Sequence, residues 1–270
     1  MVTVRQKRKE TSVVLRGIKM KEISVIIPAF NCGKYLPCAI DSVMKQGIDL
    51  EIILVDDAST DNTEQVVQKL KKKSQYPICY IKNFKNIGVS ASRNKGVQYA
   101  QAGYIAYLDA DDWWESEKLK KQIRKLKESG GILCYTGREL FREDGSKTGR
   151  KIAVPPRVDL KKLLYTNYIP CSSVVLKTEV AKEFPMEHDE VHEDYLTWLR
   201  IVKKYGCVYG INEPLLKSRL TKNGKSRKKR RSIIMTYGVY RCFGIGRKKA
   251  VWYTGNHLIR SLLRYQTGRR

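Results

Sequence analysis

Three groups of residues, two of them rich in Asp, stand where short β-branched runs end. Pro28, Ala29, Phe30 and Asn31 follow Ile23 to Ile27, the run Asp56 to Asp61 follows Glu51 to Val55, and Asp109, Ala110, Asp111 and Asp112 follow Tyr104 to Leu108. Open parallel sheets bind their ligands beyond the carboxyl ends of the strands, so these residues are the first candidates for chemistry. One acid at a strand end is commonly a helix cap or a loop residue, but three coincident ends ask for more. An Asp-x-Asp pair such as Asp109 and Asp111 gathers charge that repels itself unless a cation joins it, and carboxylate oxygens suit magnesium or manganese. Such a metal implies a phosphate-bearing ligand.

Strands and helices must alternate to bring those ends together. The runs Ile23 to Ile27, Glu51 to Val55, Ile78 to Lys82 and Tyr104 to Leu108 read as strands. Between and after them, Tyr35 to Gln46, a segment from about Asp61 with Thr60 as its cap, Ser90 to Gln101 and Glu115 to Glu128 carry helical spacing. That order predicts an α/β fold with a mostly parallel central sheet. Further on, Asp144 and Gly145 offer a hairpin turn, Cys171 to Leu176 reads as another core strand, and His192 to Lys204 reads as a helix. Two more candidate helices cover Ile233 to Phe243 and Lys249 to Tyr265.

The 270 residues carry 53 Lys and Arg against 27 Asp and Glu, a net charge of +26. Much of the excess is at the end, where Lys217 to Arg270 holds 17 basic residues and no acidic one. A near-neutral middle with a basic tail suits a polyanion, either nucleic acid or an anionic membrane surface. The longest apolar runs, such as Val25 to Phe30, fall far below a membrane span. Seven cysteines without a C-x-x-C pair suggest neither a disulfide framework nor zinc, and point to a reducing compartment. Residues 1–21 read as a basic extension without a signal-peptide apolar region, and Met20 stands directly before the first strand.

The blocks Ser24-Val-Ile-Ile-Pro-Ala-Phe-Asn31, Ile52 to Thr63, Asn86 to Gly96, Tyr104 to Asp112 and Glu193 to Arg200 occur in this order. Over residues 22–220 the chain resembles the inverting family 2 glycosyltransferases of the GT-A fold, which take sugar from a nucleotide-sugar donor. The resemblance implies that Pro28, Phe30 and Asp57 line the nucleobase pocket. A carboxylate accepts from the N3–H of uracil where cytosine offers only an acceptor, so Asp57 favours UDP over CDP. Arg93 would lie near the donor diphosphate, apt for a planar guanidinium. Asp109, beside Ala110, would bind the donor ribose or the metal, and Asp111 would ligate the Mn2+ or Mg2+ ion. Asp194 matches the family's base, which takes the proton of the acceptor hydroxyl. Its neighbour Glu193 tends to raise its pKa, while the dipole of the helix they head opposes this. Glu193, His192 and Trp198 are candidates for touching the acceptor.

The polysaccharide synthases of this family add transmembrane helices and a Gln-x-x-Arg-Trp motif. This sequence has neither, which favours transfer of one sugar to a glycan or lipid-linked acceptor in bacterial surface-polysaccharide or lipopolysaccharide assembly. In residues 221–270, Val251, Gly255, Leu258, Ile259, Leu262 and Tyr265 fall at helical spacing among Arg and Lys. Such a stripe fits an interfacial helix docked on the inner face of the cytoplasmic membrane, or packing back on the catalytic domain. The loop Lys222 to Arg231, with seven basic residues, would serve as a phosphate-seeking lid or a lipid-headgroup contact. Nucleic acid is not expected as a partner, because no zinc spacing, RNA-binding sheet motif or helix-turn-helix accompanies the charge.

Overall fold

The computed structural model describes residues 21–221 and 229–267, so the expected N-terminal extension and most of the basic loop lie outside the described residues. The strands are β1 (Ile23–Ala29), β2 (Leu50–Asp56), β3 (Ile78–Lys82), β4 (Tyr104–Tyr107), β5 (Trp113–Trp114), β6 (Leu133–Arg142), β7 (Lys147–Ile152), β8 (Arg157–Asp159), β9 (Val175–Lys177) and β10 (Cys207–Leu220). The helices are α1 (Leu36–Met44), α2 (Thr63–Lys73), α3 (Val89–Tyr99), α4 (Lys118–Ser129), α5 (Leu160–Tyr165), α6 (Thr178–Glu183), α7 (Glu193–Tyr205), α8 (Lys229–Cys242) and α9 (Arg247–Thr267).

One sheet runs in the order β3-β2-β1-β4-β9-β6-β10-β5, with β7 beside β6 and β8 beside β10. The first four strands are parallel, as the alternation predicts. Their alternate residues feed two cores. Ile23, Val25 and Ile27 enter one cluster with α1 and α4, while Ile26 enters the other with α7. Both faces being covered, these strands read as nearly continuous apolar runs. Helix α3 lies close on the sheet, since a Cβ at Gly96 would stand 2.6 Å from Ile26 Cγ2.

Two expectations change and one strand is new. The predicted strand from Cys171 is a 3-10 turn over Cys171–Ser173, where Ser173 Oγ donates back to the Pro170 carbonyl, and β9 starts only at Val175. Thr60 caps nothing. Its N–H donates to Asn31 Oδ1, and α2 starts at Thr63, whose N–H donates to Asp61 Oδ1. Finally, β10 carries no expectation, yet it pairs parallel with β6 along most of its length. Its register shifts between Ile211 and Leu216, where Asn212, Glu213 and Pro214 interrupt the alternation.

Helices α8 and α9 pack on the domain through one face. Tyr240 is fully buried, donates to the Leu164 carbonyl at 2.7 Å, and lies 3.1 Å from the Tyr195 hydroxyl. Ala250 is likewise buried. The opposite face leaves Val251, Trp252, Ile259, Leu262 and Leu263 more than half exposed. The apolar stripe of the sequence is thus divided, with Leu258 half-buried and Ile259 and Leu262 outward.

Candidate active site

The loops after β1 and β2 are tied together before any ligand arrives. Asn31 accepts from the Thr60 N–H at 2.8 Å, and its own N–H donates to Ser59 Oγ at 3.0 Å. Asp56 faces inward, where its carboxylate accepts from the Tyr80 hydroxyl at 2.6 Å. Asp57 turns the other way and accepts from Asn83 Nδ2, Ile87 N and Gly88 N, each at 2.9 Å. A carboxylate has about four acceptor sites, so this leaves capacity for one more donor. Beside it opens a recess of about 370 Å³ lined by Ala58, Ser59, Lys82, Asn83 and Phe84. Pro28 is half-buried and Phe30 is 50% exposed at the end of β1.

Asp109, Ala110, Asp111 and Asp112 leave β4. The Asp109 N–H donates to Ser172 Oγ at 3.1 Å, and Asp112 Oδ1 accepts from Arg219 N at 2.9 Å. Burial and the neighbouring Asp109 push the Asp111 carboxyl up to about 6. Burial and the like charge both disfavour the ionised carboxyl, against the weaker pull of Arg219, so a cation at this loop would be favoured. Among the described residues no group of three or more His, Cys, Asp or Glu forms a ready-made metal cage. Magnesium at phosphate sites characteristically rests on one or two carboxylates together with the substrate's own phosphates, so the donor set at Asp109 and Asp111 fits such an ion.

Arg93 joins this cluster to α7. Its Nη2 donates to Asp109 Oδ1 at 2.6 Å and its Nη1 to Glu193 Oε1 at 2.9 Å, with 4% of its surface exposed. Burial opposes the guanidinium charge, and the anionic groups around it outweigh burial. The resemblance puts Arg93 at the diphosphate. Here both terminal nitrogens are engaged by protein carboxylates, so its placement is that of a strut between two acidic elements.

Asp194 is half-buried beside that strut, and Tyr195 N donates to its carboxylate at 2.7 Å. Burial first, then the adjacent Glu193, lift its carboxyl to about 7 against the pull of Arg93. A group poised there can take up a proton near neutral pH. Glu193 itself is buried and its carboxylate is occupied with Arg93. His192 is half-buried, its Nε2 3.3 Å from the carbonyl and hydroxyl oxygens of Ser232 on α8.

Trp198 is corrected outright. It is fully buried in the core that α7 shares with α5 and α8, and its indole N–H has no protein partner. One turn beyond Asp194 the same helix face has already entered the core, so Trp198 cannot meet an acceptor. Trp198→Ala is expected to cost about 3–5 kcal/mol of stability, read as a lowered denaturation midpoint. Trp198→Phe, which sacrifices no hydrogen bond, should be far milder.

Arg219 is the residue that sequence reading missed. It reaches the Asp-x-Asp loop from β10, donating Nε to the Asp111 carbonyl at 3.0 Å and Nη1 to the Glu143 carbonyl at 2.9 Å. Its guanidinium lies 4.8 Å from the Trp113 ring centre and 5.1 Å from that of Tyr35. The only signal was a basic residue two places after Lys217 in an apolar stretch, too little to place it on a strand.

Residues 24–176 match the family described as "Glycosyl transferase family 2". The chain is 33% identical over 221 residues to TuaG of Bacillus subtilis, named for teichuronic acid biosynthesis, covering 81% of this chain and 87% of TuaG. It is 32% identical over 186 residues to the Escherichia coli UDP-Glc:alpha-D-GlcNAc-diphosphoundecaprenol beta-1,3-glucosyltransferase WfaP, covering 68% of this chain and 72% of WfaP. Among solved structures, the mannosyltransferase PcManGT of Pyrobaculum calidifontis, in complex with GDP-Man and Mn2+, superposes with a TM-score of 0.68. That match has 15% identity and covers 93% of this chain and 76% of PcManGT. With its half-parallel sheet, its acidic strand ends and these likenesses together, the chain belongs to glycosyl transferase family 2 and is a glycosyltransferase of the GT-A fold.

Proposed function

We propose that this protein moves a single sugar from a UDP-sugar to a hydroxyl of a lipid-linked glycan acceptor, with inversion, during assembly of a bacterial surface polysaccharide. The observation that carries the reading is the Asp109–Arg93–Glu193 chain, which sets the acidic end of β4 and the raised carboxyl of Asp194 in one site. Asp57 accepts from the uracil N3–H in the free part of its acceptor shell, with Pro28 and Phe30 against the ring. Asp111, with Asp109, would hold Mn2+ or Mg2+. When bound, that ion supplies positive charge against the leaving diphosphate.

The acceptor hydroxyl gives its proton to Asp194 as its oxygen bonds to the anomeric carbon. The bond from that carbon to the UDP oxygen breaks on the opposite face, and its electron pair leaves with UDP. Arg93 and Glu193 keep Asp194 in register with the donor. Support for a UDP-sugar and a polyprenyl-linked acceptor comes from the activity for which WfaP, a relative of similar length, is named. Calorimetric titration with UDP, CDP and GDP tests the donor: UDP should bind tightest, and Asp57→Ala should remove the preference. Tighter binding of CDP would overturn it.

Among the described residues no helix is long and apolar enough to cross a membrane. We place the protein at the inner face of the cytoplasmic membrane, held there by the outward side of α9, where Val251, Ile259 and Leu262 stand among Lys248, Lys249 and Arg260. Basic residues add about 1 kcal/mol each at an anionic surface, screened by salt, and inserted apolar side chains add a salt-insensitive part. Deleting residues 221–270 would strip Tyr240 and Ala250 from the core, so a surface variant is the sound test. Ile259→Gln with Leu262→Gln should weaken binding to anionic vesicles by about tenfold, with donor hydrolysis unchanged. Equal binding of variant and parent protein would remove α9 from the membrane.

A further inference from the structure

Asp194 sits at the first turn of α7, and a helix start is only as well placed as the chain leading into it. That chain, Met186 to His192, has no regular secondary structure. It is instead fastened to α3 at two points one helical turn apart. Asn94 makes a two-way bond with the Met186 backbone, donating Nδ2 to the carbonyl at 2.7 Å and accepting from the N–H at 2.9 Å. Ser90 donates both its N–H, at 3.1 Å, and its hydroxyl, at 2.6 Å, to Asp189 Oδ1. Between the two grips, Arg93 reaches Met186 Sδ at 3.7 Å and Glu193 at 2.9 Å.

The sequence at the start of α3 is shaped around this fastening. Gly88 has φ +90, and a Cβ there would stand 1.9 Å from Asp189 Oδ2. A side chain at 88 would therefore be strained and would also expel Asp189. The same turn supplies Ile87 N and Gly88 N to Asp57. One rigid helix, seated against Ile26 by Gly96, thus grips the nucleobase-side acid at its first turn and the base-bearing segment along its length. The segment itself is closed by the Val191 N–H donating to the His188 carbonyl at 2.9 Å, with Val191 buried.

We infer that Asn94, with the Ser90–Asp189 pair, is a positioning device for Asp194, fixing the distance between the base and the bound donor through α3. None of the three touches a reacting atom. The inference rests on Asp194 being the base, and its test separates the two. Displacement of a catalytic group by about 1 Å costs on the order of a hundredfold in rate, so loosening this segment should be felt in turnover.

The experiment is a double-mutant cycle on transfer, with UDP affinity measured alongside. Asn94→Ala should lower kcat about tenfold to a hundredfold and leave the Kd for UDP unchanged. Ser90→Ala, which removes one hydroxyl bond from an intact helix start, should lower kcat several-fold in the same direction and guards against a folding defect in the first variant. In an Asp194→Asn background, Asn94→Ala should cost nothing further, because there is no base left to position. An equal loss with or without Asp194, or a loss in UDP affinity that matches the loss in kcat, would make Asn94 merely structural and overturn the inference. If Asn94→Ala and Ser90→Ala both turn over at the parent rate while Asp194→Asn is inactive, the clamp is wrong and the base stands. If Asp194→Asn itself keeps its turnover, it is the base assignment that falls, and the positioning device with it.

Discussion

Replacing Asp194 with asparagine should lower sugar transfer by about a hundredfold to ten-thousandfold while UDP still binds. Asparagine keeps the shape and can still accept the Tyr195 N–H, but it cannot take a proton from the acceptor hydroxyl. UDP affinity should survive because the groups assigned to the nucleotide, Asp57 and the acidic end of β4, are on other elements. The pH profile gives a second readout. Burial and Glu193 lift the Asp194 carboxyl to about 7, and only its unprotonated form serves as base. The parent enzyme should therefore gain kcat/KM as pH rises through about 7 and lose it below, and the residual activity of Asp194→Asn should lack that limb. Lost UDP affinity with turnover retained would make Asp194 a donor ligand.

The second large effect concerns Asp111. Excess chelator, or Asp111→Asn, should reduce transfer by orders of magnitude, and manganese or magnesium should restore the chelated parent but not the variant. The fold should not suffer. Asp111 is partly desolvated and faces the charge of Asp109, and these together outweigh the pull of Arg219 and the long 3.5 Å bond from Thr221, so removing its charge costs the fold little. Mn2+ should also raise the melting temperature of the parent protein in the presence of UDP and fail to do so for Asp111→Asn, since a ligand stabilises only a state that binds it. Full turnover in excess chelator would remove the metal from the account.

The parallel half of the sheet was legible because its local signals agree. Short apolar runs at β1 to β4 alternate with the helical spacing of α1 to α4, and each strand end is marked by residues that do not belong in a core. Asp57, Asp109 and Asp111 could be singled out for that reason, whereas Asp194, at the head of a helix, was reached through the family resemblance. Long-range partnerships leave no such trace. That Arg93 would be taken up by Asp109 and Glu193, 16 and 100 residues away, depends on how α3 and α7 are brought together on one face of the sheet. Strand β10 was hidden because Asn212-Glu213-Pro214 interrupts its alternation at the register shift, and Arg219 was lost with it. Trp198 was an acceptor candidate that burial removes. Four residues from Asp194 it shares that side of the helix, but depth in the core, which spacing does not report, separates the two.

A direct attack assisted by Asp194 leaves a stereochemical record, and the proton NMR spectrum of the isolated product reads it. With a UDP-sugar turned over to completion, the new glycosidic bond should have the anomeric configuration opposite to that of the donor. A product that retains the donor configuration would require two displacements or a front-face path, and would contradict a single displacement driven by Asp194.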